Sequence, residues 1–179
     1  MHHPQHPQTA QPVIDLHDQV KAAIEKAFPQ TLLSSSIDYD FPVFVINKPQ
    51  IHDVLSFLKT EKELAFSFLT TMCGIHFPEH ENHEFAIMYQ LHNMITNKRI
   101  RLKVFMSRKD MIMPTATDLW AAANWMEREA YDFYGFIFKG HPDLRRILNM
   151  EEMNYHPLRK EYALEDAGRN DKADKYFGR

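Results

Sequence analysis

A chain of 179 residues, 44% hydrophobic and 25% charged, has the balance of a soluble globular protein with room for one core. Its formal charge of -3, with histidines neutral, is too small to draw nucleic acid by long-range attraction. Cys73 is the only cysteine, which excludes an intrachain disulfide and an iron–sulfur cluster held by this chain alone, since such clusters normally need four thiolates.

The opening stretch MHHPQHPQTAQP, residues 1–12, is polar and rich in His, Pro and Gln. It lacks the apolar segment of a secretory signal and the arginines of a mitochondrial transit peptide, the first arginine being Arg99. It reads as a disordered leader, with His2, His3 and His6 on a floppy tail. No run approaches the ~18 apolar residues of a membrane helix. A cytoplasmic location is the expectation.

The ordered part is expected to begin near Val13. Asp15 can cap a helix with Leu16, Val20, Ala23, Ile24 and Ala27 on one face, ended by Pro29. Ile37 to Tyr39 and Val43 to Ile46 read as two short strands, or one bent strand, around Pro42. Asn47 and Pro49 open a second helix with Val54, Leu55 and Leu58 inward. Leu64 to Leu69 reads as a strand.

The strongest strand signal follows. Phe85, Ile87, Tyr89 and Leu91 alternate along FAIMYQLHN, and Ile100, Leu102, Val104 and Met106 alternate along RIRLKVFM. With Asn97-Lys98 in the turn, the two runs predict a hairpin with one buried face. Its outer stripe of Arg99, Arg101 and Lys103 reads as a solvated face, with a partner surface as the alternative. Thr117 or Asp118 is placed to cap a helix from Leu119 to about Tyr134, and Gly135 to end it. Beyond that, charge, aromatics and Pro occur with little periodicity, as in a segment that orders on another protein. The expected fold class is α+β: a mixed or antiparallel sheet packed with helices, plus an extended C-terminal tail. The expected organisation is a leader at 1–12, one domain at 13–148 and a partner-binding tail at 149–179.

Few constellations carry chemistry. His76, His80 and His83 lie in HFPEHENHEF beside Glu79, Glu81 and Glu84, and helical spacing would gather them for zinc. Pro78 argues for a solvated loop instead, and HExxH is absent. A free-standing metal-dependent hydrolase is the rival reading these histidines support. Cys73 near His76 lacks the signals of a nucleophile site. The five glycines form neither GxGxxG nor GxxxxGK, so no seat for NADH is visible.

The informative run is Asn124 to Leu148, where charge sits beside aromatics. Arg128 and Asp132 are four apart and can pair along a helix face for roughly 0.3 kcal/mol. Gly140-His141-Pro142-Asp143 reads as a turn, followed by Arg145 and Arg146, whose forks suit Glu127, Glu129, Asp132 or Asp143.

The run EREAYDFYGFIFKGHPDLRRIL resembles the signature of the C-type subunit of bacterial NADH-quinone oxidoreductase, respiratory complex I. The elements are Glu127, Arg128, Glu129, Asp132, Phe133, Tyr134, His141, Arg145, Ile147 and Leu148. The family's HPLRKD element stands here as His156, Pro157, Leu158, Arg159 and Lys160, with Glu161 in place of Asp. YQLHN and NKRIRLKV resemble the family's paired strands. The likeness covers roughly residues 30–165, most strongly 117–162. Three positions depart from it: His76 replaces a frequent Asp, Asn149-Met150 replaces an Asp-aromatic pair, and Glu161 adds a methylene.

The resemblance implies a non-catalytic scaffold subunit of a proton-translocating enzyme. It would lie peripherally on the cytoplasmic side of the bacterial inner membrane, bound to the D-type subunit and near the B-type subunit. FMN, iron–sulfur clusters and quinone would belong to the assembled complex, and none to this chain. Glu127, Arg128, Glu129, Asp132, His141, Asp143, Arg145, Arg146, His156, Pro157, Leu158, Arg159 and Lys160 would form the partner interface. Tyr155, Leu158, Tyr162, Tyr176 and Phe177 would supply aromatic or apolar anchors. Similar subunits of related energy-converting complexes use other electron donors, an alternative this chain leaves open.

Overall fold

The structure, a computed structural model, describes residues 11–162. Helix α1 (Gln11–Ala27) turns Leu16, Val20 and Ile24 inward, the spacing of an amphipathic helix. Asp15 lies inside this helix rather than at its cap, and accepts a bond from Gln11 Nε2 at 2.8 Å. Gln11 and Pro12 of the expected leader are thus helical, while residues 1–10, including the three leader histidines, lie outside the described residues.

Two strands follow, β1 (Leu32–Asp38) and β2 (Phe41–Ile46), paired antiparallel around Tyr39 and Asp40. A 3-10 turn at Lys48–Gln50 leads into α2 (Ile51–Thr60), which buries Ile51, Val54, Leu55 and Leu58. The next strand, β3, runs Phe68–His76 and not from Leu64. Leu64 and Phe66 are buried, which mimics strand alternation, but their backbone forms a turn in which Leu64 N–H donates to Glu61 O and Phe66 N–H to Leu58 O.

The expected hairpin is present as β4 (Phe85–Asn93) and β5 (Lys98–Met106), in register from Phe85 opposite Met106 to Asn93 opposite Lys98. The turn is Met94–Asn97, so Lys98 already belongs to β5. The sheet order is β1-β2-β5-β4-β3, with β2 parallel to β5 and every other neighbour antiparallel. The fold is therefore α+β with a mixed sheet.

The inward rows of β4 and β5 join α1, α2, Ala123 and Ala130 in one core. Gly74 of β3 lets the following elements approach, because a Cβ there would stand 2.6 Å from the Tyr134 ring and 2.7 Å from Phe136.

Helix α3 spans Ala123–Tyr134, later than expected, because the capping candidates are engaged elsewhere. Asp118 meets His52 Nε2 at 2.9 Å, and Thr117 bonds Thr115. Gly135 ends the helix at φ +83, as a left-handed cap should. Two strands of three residues each, β6 (Ile112–Pro114) and β7 (Ile137–Lys139), pair parallel and flank α3 in sequence. They are too short to show a period. From Gly140 to Tyr162 the chain has no regular element and runs back across the C-terminal end of α3.

Candidate partner interface

Asp132, on the last turn of α3, is fully buried and anchors that returning strap. Its carboxylate accepts from Arg146 Nη1 at 2.7 Å, the N–H groups of Ile147, Leu148 and Asn149 at 3.1, 2.8 and 2.9 Å, and Asn149 Nδ2 at 3.1 Å. Burial alone would raise its pKa. The N–H groups of Asn149 and Leu148 and the Arg146 guanidinium more than offset this, and hold the carboxyl well below the usual carboxylate range.

The backbone around it is equally engaged. A helix leaves its last carbonyls without intrahelical partners. Here Asp132 O accepts from Arg146 Nη1 and His156 Nδ1, both at 3.0 Å, Phe133 O from Leu158 N–H at 3.2 Å, and Tyr134 O from Arg159 Nε at 2.8 Å. Cations at this negative helix end are electrostatically favoured as well. Any Cβ on Gly135 would meet Arg159 Nη2 at 2.6 Å and His156 Nε2 at 2.7 Å. The strap crosses where only glycine leaves room.

Earlier in α3, Glu127 is also fully buried. It accepts from the Thr115 hydroxyl and the Ala116 N–H, both at 2.6 Å, and so fixes the segment after β6. Burial pushes its carboxyl up to about 7, against the pull of those two bonds. Arg128 does not pair with Asp132. Its guanidinium donates to Arg145 O and Arg146 O at 3.1 and 3.0 Å and lies 5.1 Å from the Trp125 ring. His141 donates through Nε2 to Asn124 O at 3.0 Å and accepts the Asp143 N–H at Nδ1, which closes the expected turn.

The second element, His156 to Lys160, reaches the far end of β3. Lys160 N–H donates to His76 Nδ1 at 2.9 Å, and the His76 ring stacks on Phe85 with centroids 4.3 Å apart. Arg159 and Arg108 also lie over Phe85, at 5.4 and 5.8 Å, and Glu161 bonds Arg108. His76, expected in a polar loop, is the buried last residue of β3. Its pKa is lowered by burial, with Glu161 pulling the other way.

The expected interface residues therefore divide. Arg128, Asp132, Arg146, His156 and Arg159 mesh inward and hold the strap on this chain's own helix, while Glu127, also turned inward, holds the segment after β6. Glu129, Asp143, Arg145 and Lys160 point outward, Arg145 Nε meeting Asp143 at 2.9 Å in an exposed pair worth roughly 0–1 kcal/mol. Pro157 is half-buried. The locked strap displays Leu148, Met150, Tyr155, Leu158 and Tyr162 to solvent. Tyr176 and Phe177 lie outside the described residues. Arg108 joins this network without warning from the sequence. Three of its contacts, through His76, Asn149 and Glu161, fall where the chain departs from the expected pattern.

Among the described residues no three His, Cys, Asp or Glu side chains are placed to hold a metal ion. Cys73 is a half-buried strand residue whose thiol is pushed up by burial. One cysteine cannot supply the four thiolates that an iron–sulfur cluster normally needs. No helix among the described residues is long and apolar enough to cross a membrane.

Known proteins share the family and the fold. Residues 44–168 match the family described as respiratory-chain NADH dehydrogenase, 30 Kd subunit. A protein from Roseiflexus castenholzii, named as the C-type subunit of NADH-quinone oxidoreductase, is 39% identical over 146 residues, covering 81% of this chain and 83% of its own length. One of the same name from Brucella ovis is 44% identical over 111 residues, 62% of this chain and 54% of its own. A trypsin-resistant fragment of Nqo5 superposes with TM-score 0.59 at 26% identity, over 74% of this chain and 98% of the fragment. A chain of the membrane-bound sulfane sulfur reductase, an archaeal respiratory membrane complex, shares the fold with TM-score 0.66 at 22% identity, over 82% and 85% of the two chains. The chain, with its buried aspartate hub and glycine-crossed strap, belongs to the family of the 30-kDa subunit of respiratory-chain NADH dehydrogenase.

Proposed function

We propose that this chain is a non-catalytic subunit of a proton-translocating NADH-quinone oxidoreductase, and that its strap face positions the D-type subunit next to the quinone site, with the B-type subunit nearby. One observation carries the reading: Arg128, Asp132, Arg146, His156 and Arg159 turn inward onto the end of α3. They fix residues 140–162 and leave Leu148, Met150, Tyr155, Leu158 and Tyr162 exposed on a segment already ordered. A surface that is ordered before contact loses little conformational entropy on binding. Aromatic anchors on it are typical hot-spot residues. FMN, the clusters and quinone then belong to other subunits, and the chain reaches the cytoplasmic face of the membrane through them. Its contribution to rate is positional, since a reacting group displaced by 1 Å can lose about a hundredfold in rate.

The test is purification of the full chain from mildly solubilised membranes, with Tyr155→Asp and Leu158→Asp beside the unchanged chain. The unchanged chain is expected to bring the B-type and D-type subunits with NADH-quinone reductase activity, and the variants to lose them. Variants that assemble with full activity would overturn the strap reading. Partners lacking the flavin subunits would point to another electron donor.

A further inference from the structure

We propose that His76 makes the sheet's hold on the HPLRK end of the strap sensitive to pH, and with it the docking face that this end carries. With its ring neutral, His76 accepts the Lys160 N–H at Nδ1, at 2.9 Å. A ring protonated at Nδ1 has only donors to offer and must let that N–H go. The inference rests on the reading of the strap as a docking face and concerns how that face is regulated.

Geometry fixes the tautomer. A backbone N–H can only donate, so the Nδ1 it meets is bare and the ring carries its proton on Nε2. The ring has little room to step aside. His76 is the last residue of β3 and 6% exposed, and its ring lies flat on Phe85, with centroids 4.3 Å apart and planes 2° from parallel.

The neighbours decide what a charge there would meet. Burial disfavours the imidazolium most. Arg108, just beyond β5, and Arg159 of the strap oppose it as like charges, while Glu161 of the strap and Glu84, just before β4, favour it. Glu161 is already bonded to Arg108. The Phe85 ring, which attracts cations, already has Arg108 and Arg159 at 5.8 and 5.4 Å. Glu84 differs: its Oε2 is buried with no hydrogen-bond partner among the described residues. It offers the charged ring an acceptor as the strap loses one.

What is released is local. Lys160 lies between Leu158 and Tyr162, 39% and 38% exposed, and the Tyr162 ring packs against Tyr155 with centroids 4.9 Å apart. These anchors ride on the clasp. Leu148 is held instead by Asp132, whose carboxyl stays charged well below this range. A contact that only the neutral ring makes is at full strength above the ordinary pKa of 6.5 and weakens as pH falls below it. Acidification therefore loosens the Leu158–Tyr162 part of the face and leaves the Leu148 part in place.

The experiment is residue-resolved hydrogen exchange on the full chain from about pH 7.5 to 5.5, corrected for the intrinsic pH dependence of exchange. His76→Asn, whose side-chain oxygen accepts at every pH, is the comparison, and His76→Asp replaces it if it melts early. Protection of the Lys160 N–H is expected to fall by up to about tenfold per pH unit below 6.5, the limit for one proton, and to stay flat in the variant. Leu148 and Asn149 should keep theirs in both. Recovery of the D-type subunit from membranes washed at the same pH values should fall in parallel for the unchanged chain and hold for the variant. Protection at Lys160 that ignores pH, or falls alike in both chains, would overturn the clasp. Protection that falls while recovery holds would overturn its control of docking, and Tyr155→Asp and Leu158→Asp report separately whether the strap docks at all.

Discussion

At the end of the sheet where β3 and β5 finish, charged side chains are buried and the apolar ones exposed are carried on a strap. At the opposite end, Tyr39, Phe68, Met94 and Ile95 stand out directly from tight connections. Asp132 does for the strap what Asn93 does for the tip of the β4–β5 hairpin: one buried side chain gathers neighbouring backbone N–H groups and fixes the chain that carries the exposed residues. The difference is charge. Asp132 needs Arg146 to be tolerated, whereas the neutral Asn93 needs no counter-ion. A long irregular segment here takes an ionic lock, while a short turn takes an amide.

The two ends can be broken separately. Asp132→Ala has the largest expected effect, about 3–5 kcal/mol, because it leaves the Arg146 guanidinium buried without its carboxylate. Hydrogen exchange should show residues 145–162 losing protection while the β4–β5 turn keeps it. Equal loss at both ends would mean the two are one cooperative unit. Asn93→Ala should cost less, about 1–3 kcal/mol, for the stranded Leu64 carbonyl and the unbonded turn N–H groups. Its exchange should rise at Ile95 and Thr96 and not in the strap.

Glu127 sharpens the contrast through pH. Its folded pKa, about 7, lies above the ordinary 4.5, so the folded state binds this proton more tightly than the unfolded one. Its contribution is fully present below pH 4.5 and is lost as pH rises through about 7. His76 acts oppositely, because its lowered pKa makes stability fall as pH drops below 6.5. Asp132, also lowered, gives its stability above the ordinary 3.8 and loses it on further acidification. Denaturant melts of Glu127→Gln against the unchanged chain, from about pH 4.5 to 8, should isolate the first effect: the variant gains relative stability as pH rises. A constant difference across that range would refute the buried-carboxyl account. The smallest effect on stability is expected for Arg145→Ala, within about 0.5 kcal/mol, since its pair with Asp143 is exposed. Recovery of the D-type subunit with this variant should nevertheless fall, and full recovery would remove Arg145 from the interface.

The two ends differ in how far the sequence exposes them. Charge beside aromatics from Glu127 to Arg146 marks the strap end within a single run of residues, but the spacing misleads on pairing: Arg128, four residues from Asp132, serves the carbonyls of Arg145 and Arg146 instead. His76 lies among histidines that suggest a loop, yet it ends a strand beneath the HPLRK element, 84 residues away in sequence. The tip carries no motif at all. Asn97-Lys98 is legible as a turn, but Ile95 at its crest is an ordinary apolar residue until burial is known.

Period-two alternation in β4 and β5, helical spacing in α1 and α2, and Gly135 as a helix stop were decided by the sequence alone, because each depends on neighbours within a few residues. The parallel pairing of β2 with β5, the late start of α3 and the division of the charged signature into inward and outward residues were decided by tertiary structure. They depend on which distant donor reaches which acceptor once the core excludes water. A carboxylate such as Asp132 does not carry its own orientation in the sequence; the guanidinium and backbone N–H groups folded over it supply that.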